Sequence, residues 1–339
     1  MEQSHQPPLR TEQEHEEEVH QRVHQQCRDL VSSLPVVEGC SYPDLCFHDG
    51  FFQPVPAMVA AMMVQKLFEA RPTDIILATL PKSGTTWLKA LLFATVNRNS
   101  SPSSTRNLAT LNPHQCVPYL RELYEDGARV PEMDSMPSPR LLATHIPFHF
   151  LPNSIVESGC RVVYLCRNPK DNFVSMWHFI NKFRKKDGRE ALPLEVSFDR
   201  FCQGRSHSGP FWDHMLGYWK ASLQVGGCSV LFMRYEELMK DPVVELRRLA
   251  EFVGCPFTQE EQANGVLEDI VETCGFERLS NLEVNKVGKR TLFRTMTVDN
   301  NSYFRRGVVG DWMNHLTPDM AQRIDKIIES KFEGSGLAP

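Results

Sequence analysis

No run of about 18 apolar residues occurs in the chain, which argues against a membrane-spanning helix. The N-terminal stretch MEQSHQPPLRTEQEHEEEVH is acidic and polar, and it lacks the apolar centre of a signal peptide. Ten cysteines are scattered through 339 residues without a C-x-x-C pair. Cysteines in a chain without an export signal ordinarily stay reduced. The expectation is a soluble, cytoplasmic protein. An excess of one charge sign is also missing: 37 basic residues face 42 acidic ones, a net charge of −5. No global field therefore calls for nucleic acid or an anionic membrane as partner, although a local basic site stays open. Apolar residues make up 41% and charged residues 23%, ordinary values for a chain that buries a substantial core.

Residues 1 to about 33 are rich in Gln, Glu and His, and read as an unstructured start running into a helix. His20 and His24 would share a face of that helix. With no third ligand evident they read as a solvated face, and no metal site is expected. Residues 97–107, NRNSSPSSTRN, read as a loop. No internal repeat is found. The expected organisation is an N-terminal extension over residues 1–50, partly unstructured and then helical, followed by one domain over 51–339.

Four short apolar runs look like buried strands: DIILATL (74–80), RLLATH (140–145), RVVYLCR (161–167) and SVLFMRY (229–235). Helical patterns follow three of them, as TTWLKALLFATVNR, KDNFVSMWHFINKFRKK and EELMKDPVVELRRLAEFVG. Such alternation predicts an α/β domain, a central parallel sheet flanked by helices. Ligands of such sheets bind beyond the carboxyl ends of the strands.

The first strand runs into PKSGTTW and a helix, a strand–loop–helix unit like a P-loop. A helix N-terminus offers free N–H groups and partial positive charge to an anion. Gly84 permits close backbone approach, Lys82 adds a full charge, and Ser83, Thr85 and Thr86 add hydroxyl donors. Together they describe a phosphate cradle. The order differs from G-x-x-x-x-G-K-[ST], and the later strands end in Arg167 and in Arg234-Tyr235, where a metal-holding carboxylate would be expected. That pattern favours neutralising phosphate with side chains. RNPKDNFVS supplies Arg167 and, about two turns on, Ser175. YFRRGVVGDW supplies Arg305 and Arg306 beside Gly307. Arginine suits bidentate phosphate binding. A ligand with two separate phosphate groups would engage all three clusters.

These residues resemble the cytosolic sulfotransferases, particularly the plant branch. P-K-S-G-T-T-W at 81–87 is similar to that family's 5′-phosphosulfate loop, and R-N-P-K-D-x-x-V-S at 167–175 to its 3′-phosphate motif. R-R-G-x-x-G-D-W at 305–312 is similar to its C-terminal nucleotide motif. T-H-I-P-F-H-F-L-P at 144–152 is similar to the segment with the catalytic histidine. The four occur in family order within about residues 50–320.

The resemblance implies 3′-phosphoadenylyl sulfate as donor and a small hydroxyl-bearing acceptor, such as a phenol, flavonol, steroid or hydroxy-acid. Lys82 through Trp87 would hold the 5′ side, with Trp87 on the adenine. Arg167, Ser175 and Arg305 through Gly307 would hold the 3′-phosphate. Tyr235 and Phe276 match nucleotide-contact positions. His145 is the candidate base and Lys82 the candidate stabiliser of the leaving phosphate. Ser83 would hold Lys82 aside until the acceptor arrives. His149, four residues on, is a rival base on chemistry alone. Tyr119, Phe148, Phe150, Trp177, Phe179 and Phe183 are candidate walls of an apolar acceptor pocket.

Three positions depart from the family pattern. Ser208 replaces a tyrosine that faces the acceptor in relatives, Gly275 replaces a serine on the adenine side, and Met313 replaces a lysine. A dimer motif of the K-x-x-x-T-V kind is matched poorly by KRTLFRTMTV (289–298), which leaves monomer and homodimer both open. Two other readings remain: a nucleotide or hormone sensor without catalysis, and an ATP-dependent small-molecule kinase.

Overall fold

Short, fully apolar β-branched runs bury both faces of a sheet, and this chain uses four of them that way. The computed structural model describes residues 12–41, 44–99, 104–124, 132–224, 226, 228–292 and 296–338. Among them, β4 (Ile75–Thr79), β5 (Leu141–Thr144), β6 (Arg161–Cys166) and β7 (Ser229–Arg234) form a parallel sheet in the order β5-β4-β6-β7. Ile75 pairs with Leu141 on one side and with Arg161 on the other, and Arg161 in turn with Ser229. All four strands therefore end at one edge. The chain reverses direction across the sheet at β4, which opens a crevice above it.

Alternate residues feed two apolar layers. Ile76, Ala78, Leu142, Val162 and Tyr164 pack under Met58, Met62, Phe173, Phe211 and Ile328. Ile75, Leu77, Ala143, Val163 and Met233 pack under Leu88, Leu91, Leu246, Leu249 and Leu267. Helices Val55–Leu67, Pro169–Lys186, Phe211–Ser222 and Pro318–Phe332 cover the first face. Thr85–Asn97, Pro242–Phe252 and Val266–Thr273 cover the second. At the far end of the sheet, the Arg140 guanidinium makes a bidentate pair with Asp74, Nε at 2.9 Å and Nη2 at 2.5 Å, both side chains buried. The pair ties the start of β4 to the start of β5.

Several elements differ from the sequence expectation. EELMKDPVVELRRLAEFVG is two helices, Tyr235–Lys240 and Pro242–Phe252. Pro242 cannot continue the first helix, and Asp241 instead caps the second by accepting from Val244 N at 3.1 Å. The loop at 97–107 is interrupted by a helix opening at Ser104; residues 100–103 lie outside those described. The unstructured start, through residue 11, lies outside them too, and a helix runs Glu12–Ser32. Its Cys27 and Val31 belong to the first apolar layer. An antiparallel sheet of β1 (Val36–Val37), β2 (Leu45–His48) and β3 (Phe51–Pro54) was not foreseen. Its hairpin turns on Asp49–Gly50, both at positive φ (45° and 84°), and D-G is a hairpin signal the sequence did carry. Lys289–Leu292 (β8) and Met296–Asp299 (β9) form a second unforeseen hairpin.

Candidate active site

The loop after β4 makes the sharpest turn in the crevice. Lys82 sits at φ 67° and Gly84 at φ 99°, where Gly84 caps the helix Thr85–Asn97. A Cβ on Gly84 would stand 2.6 Å from the Tyr235 ring, so only glycine fits. The Thr85 hydroxyl meets that of Thr79 at 2.7 Å, and the Thr86 hydroxyl meets His114 Nε2 at 3.0 Å. The Lys82 ammonium lies 4.2 Å over the Phe179 ring and 3.5 Å from the Ser302 carbonyl. Burial, with Arg167 and Arg305 nearby, pulls its pKa down to about 7. An anion in the crevice would reverse that shift.

The loop after β6 supplies the second cation. Arg167 donates to the carbonyls of Lys82 at 3.2 Å and Val308 at 2.9 Å, and its guanidinium lies 4.5 Å over Tyr235. One helical turn on, the buried Asp171 accepts from the backbone N–H of Gly310 at 2.7 Å and of Trp312 at 3.0 Å. This clamp fastens the C-terminal RRGVVGDW segment over the sheet edge. Within that segment Arg305 and Arg306 both pair with the buried Asp311. Gly307, at φ 65°, passes so close to Phe276 that a Cβ would meet its ring at 2.5 Å. Trp87 meets Tyr235 edge to face at 6.0 Å. The buried Trp87 Nε1, Arg167 Nε and Arg305 Nε have no hydrogen-bond partner among the described residues, so the crevice holds donors in reserve.

His145 stands just past the end of β5. Its Nδ1 lies 2.7 Å from the Thr79 carbonyl, which can only accept. Nδ1 therefore carries the proton, and Nε2 keeps its lone pair. Burial, then the charges of Arg121 and His207, hold the ring well below its ordinary pKa, so it stays neutral. The backbone beneath is braced: Tyr164 OH meets His214 Nδ1 at 3.0 Å, His214 Nε2 donates to the His145 carbonyl at 3.2 Å, and Tyr218 OH donates to the Ile146 carbonyl at 2.7 Å. His149, the rival, pairs instead with Asp49 at 3.2 Å on the surface and does not line the crevice.

One cavity of about 320 Å³ unites these groups. Lys82, Gly84, Thr85, Thr86, Trp87, His145, Arg167, Ser175, Tyr235, Phe276, Arg305, Arg306 and Gly307 all line it. Ser83 does not. It is fully buried beneath the loop, where its hydroxyl takes a hydrogen bond from Asn172 at 3.0 Å, while the Lys82 ammonium lies over Phe179. Of the six aromatic wall candidates, only Tyr119 and Phe179 reach the cavity. Phe150 is buried in the first apolar layer, Phe183 is buried in a separate cluster with Met176, Ile180 and Val298, Phe148 packs on Tyr218, and Trp177 donates to the Leu192 carbonyl. Ser208 is also withdrawn: it is buried at φ 62° and bonds Gln53, while its neighbour His207 takes the place on the wall. Met313 is 67% exposed and off the wall, and Gly275 serves as the N-cap of the helix Phe276–Asn281. His114, Arg121, His207 and Cys274 line the cavity without having been foreseen. Asp171 and Asn172 sat inside a recognised motif, so their roles had a signal; His114 and Arg121 had none. Among the described residues no cluster of His, Cys, Asp or Glu is placed to hold a metal ion.

Comparison with known proteins identifies the family. The family model described as the sulfotransferase domain matches residues 72–336. Cytosolic sulfotransferase 12 of Arabidopsis thaliana is 45% identical over 92% of this chain and 94% of its own length. Cytosolic sulfotransferase 14 of the same plant is 41% identical over 98% and 96%. The crystal structure of an A. thaliana protein, provisionally described as a steroid sulphotransferase, superposes with a TM-score of 0.70 at 37% identity, covering 98% of this chain and 99% of that one. The mouse sulfotransferase SULT7A1, solved with PAP, shares the fold: TM-score 0.65, 24% identity, 86% and 96% coverage. The chain therefore belongs to the sulfotransferase family, in its plant-type cytosolic branch, and is an enzyme of sulfuryl transfer.

Proposed function

We propose that this sulfotransferase takes its sulfuryl group from 3′-phosphoadenylyl sulfate and passes it to the hydroxyl of a small organic acceptor, with His145 as base. The observation that carries this reading is the Nδ1–H of His145 held on the Thr79 carbonyl, which turns a neutral Nε2 toward a cavity also lined by Lys82. Nε2 accepts the acceptor's hydroxyl proton as the oxygen–sulfur bond forms. The bond from sulfur to the bridging phosphate oxygen breaks, and its electron pair stays on that oxygen. Lys82, freed from Phe179, meets the charge. The products are a sulfate ester and adenosine 3′,5′-bisphosphate. Catalysis of this kind is mostly positioning and charge stabilisation.

The residues present suit such a donor. The free N–H groups of the helix opening at Thr85, with Lys82, Thr85 and Thr86, would receive the 5′ side. Arg167, Ser175, Arg305, Arg306 and Gly307 would receive the 3′-phosphate, and Trp87, Tyr235 and Phe276 the base. The reserve N–H donors of Trp87, Arg167 and Arg305 favour a polar ligand in that crevice. No metal is part of the proposal, since four cations and, among the described residues, no carboxylate line the wall around the donor. Residues 51–339 are read as the catalytic unit and 1–50 as its extension, working in the cytosol with a small-molecule partner.

Labelled sulfate transfer without added metal, to a panel of phenols, flavonols, steroids and hydroxy-acids, tests the reading. Adenosine 3′,5′-bisphosphate at 100 times its Kd should stabilise the fold by about 2.7 kcal/mol. Nucleotide binding with no transfer to any acceptor would favour a sensor and count against the mechanism.

A further inference from the structure

Arg121 is a cation that the donor reading does not use. It is 8% exposed and lines the cavity on the side of Tyr119, His145 and His207. Its position is built, not incidental. Tyr119 bridges to Ala143 of β5, and the short turn Leu120–Leu123 that follows presents Arg121 beside the strand that ends at His145. The guanidinium lies 5.2 Å from the Tyr119 ring centre and 3.4 Å from His207 Nε2. Arginine only donates, so His207 Nε2 accepts in that contact. Tyr119 itself stands 4.7 Å from the His145 ring.

Another part of the lining is apolar. Met176, Phe179 and Ile180 follow helical spacing on Pro169–Lys186 and line the cavity together. No Asp or Glu lines it among the described residues. Burial first, and then the charge of Arg121, depress the basicity of His145 and His207; an anion nearby would relieve the second.

We infer that the acceptor is a hydroxy-acid: a hydroxyl on an apolar stem reaches His145 Nε2 while its carboxylate is held by Arg121. The inference rests on the sulfotransferase reading for the hydroxyl end and on Arg121 for the carboxylate end. Charge-assisted bidentate pairing selects an acid over its neutral ester, and the stem length is set by the span from Arg121 to His145.

Two matched pairs test it: para-hydroxyphenylpropanoate and ω-hydroxydodecanoate, each against its methyl ester. Binding is measured by calorimetry on the complex with adenosine 3′,5′-bisphosphate, and transfer with the labelled donor. For at least one pair the acid should exceed the ester about tenfold or more in affinity and in kcat/KM, chiefly through KM. Arg121→Gln should bring the acid-to-ester ratio near one, and Arg121→Lys should keep part of it. Equal acid and ester in the wild type, or a preference unchanged in Arg121→Gln, overturns the inference. Transfer to neutral acceptors with no acid preference does so while leaving sulfuryl transfer standing. An acid preference in binding with no transfer supports the role of Arg121 and sinks the catalytic reading instead. If Arg121→Gln does not fold, the wild-type acid and ester comparison decides alone.

Discussion

At the scale of single residues, the proposed mechanism has His145 and Lys82 divide the charge problem. The Thr79 carbonyl fixes which nitrogen of His145 is basic, and burial keeps the ring neutral. His145→Ala should lower kcat by about 10²- to 10⁴-fold while the melt shift with adenosine 3′,5′-bisphosphate persists; normal single-turnover rates would remove it from the mechanism. Because its pKa is lowered, the acid limb of the rate profile should lie well below pH 6.5. Lys82 has a different signature. With a pKa near 7 in the free enzyme, it is mostly neutral at pH 8 and regains its proton when a phosphate arrives. Nucleotide binding at pH 8 should therefore take up close to one proton, and affinity should fall as pH rises above 7. Calorimetry in buffers of different ionisation enthalpy measures the uptake, and Lys82→Met should abolish it. Uptake undiminished in that variant would assign the proton elsewhere.

At the scale of elements, the site depends on how the RRGVVGDW segment is held. Two backbone N–H groups rest on the Asp171 carboxylate, and Gly307 lies against Phe276. Asp171→Ala leaves those donors unmet and frees the segment, at a cost of about 2–4 kcal/mol. The donor KM should rise by an order of magnitude or more, with less change in the rate of bound substrate. An unchanged KM would mean the segment is held by other contacts. The Asp171 bonds join positions about 140 residues apart in sequence, and a motif shows only that each end is special. The strands and the helices behind them were legible because apolar period survives in short windows. The break at Asp241–Pro242 was legible too, had the proline been given its full weight. The aromatic walls were not: Phe148, Phe150, Trp177 and Phe183 are apolar residues like Phe179, and only packing decides which face a cavity.

At the scale of the whole molecule, stability and pH are linked through buried groups. His114, His145, His207 and His214 are all held below 6.5 by burial. The unfolded chain takes up protons below about pH 6.5 that the folded chain refuses, so stability falls as pH drops through that window. Asp311 and Glu261, lowered to about 2, contribute a separate loss below about pH 4. Thermal melts should therefore decline from pH 7 to 5, before Asp311 and Glu261 titrate; a flat Tm across that range would contradict the buried, neutral histidines. Removing half of the buried Arg140–Asp74 pair, as in Arg140→Ala, should cost about 3–5 kcal/mol in denaturant unfolding.

Much of this protein was written in local order. A strand–turn–helix with Lys82 and Gly84, arginines at strand ends, and apolar runs of the right length each follow from neighbours in the chain. They were enough to predict the parallel sheet that the structure has, and to propose a phosphate cradle with named residues around it. What the local order could not contain is the meeting of distant segments. That Ser83 and Ser208 turn inward while Arg121, His114 and His207 line the cavity, and that the Thr79 carbonyl selects the tautomer of His145, depends on the β5-β4-β6-β7 packing. A side chain's direction across a crevice is set by what it packs against, and those partners lie tens to hundreds of residues away.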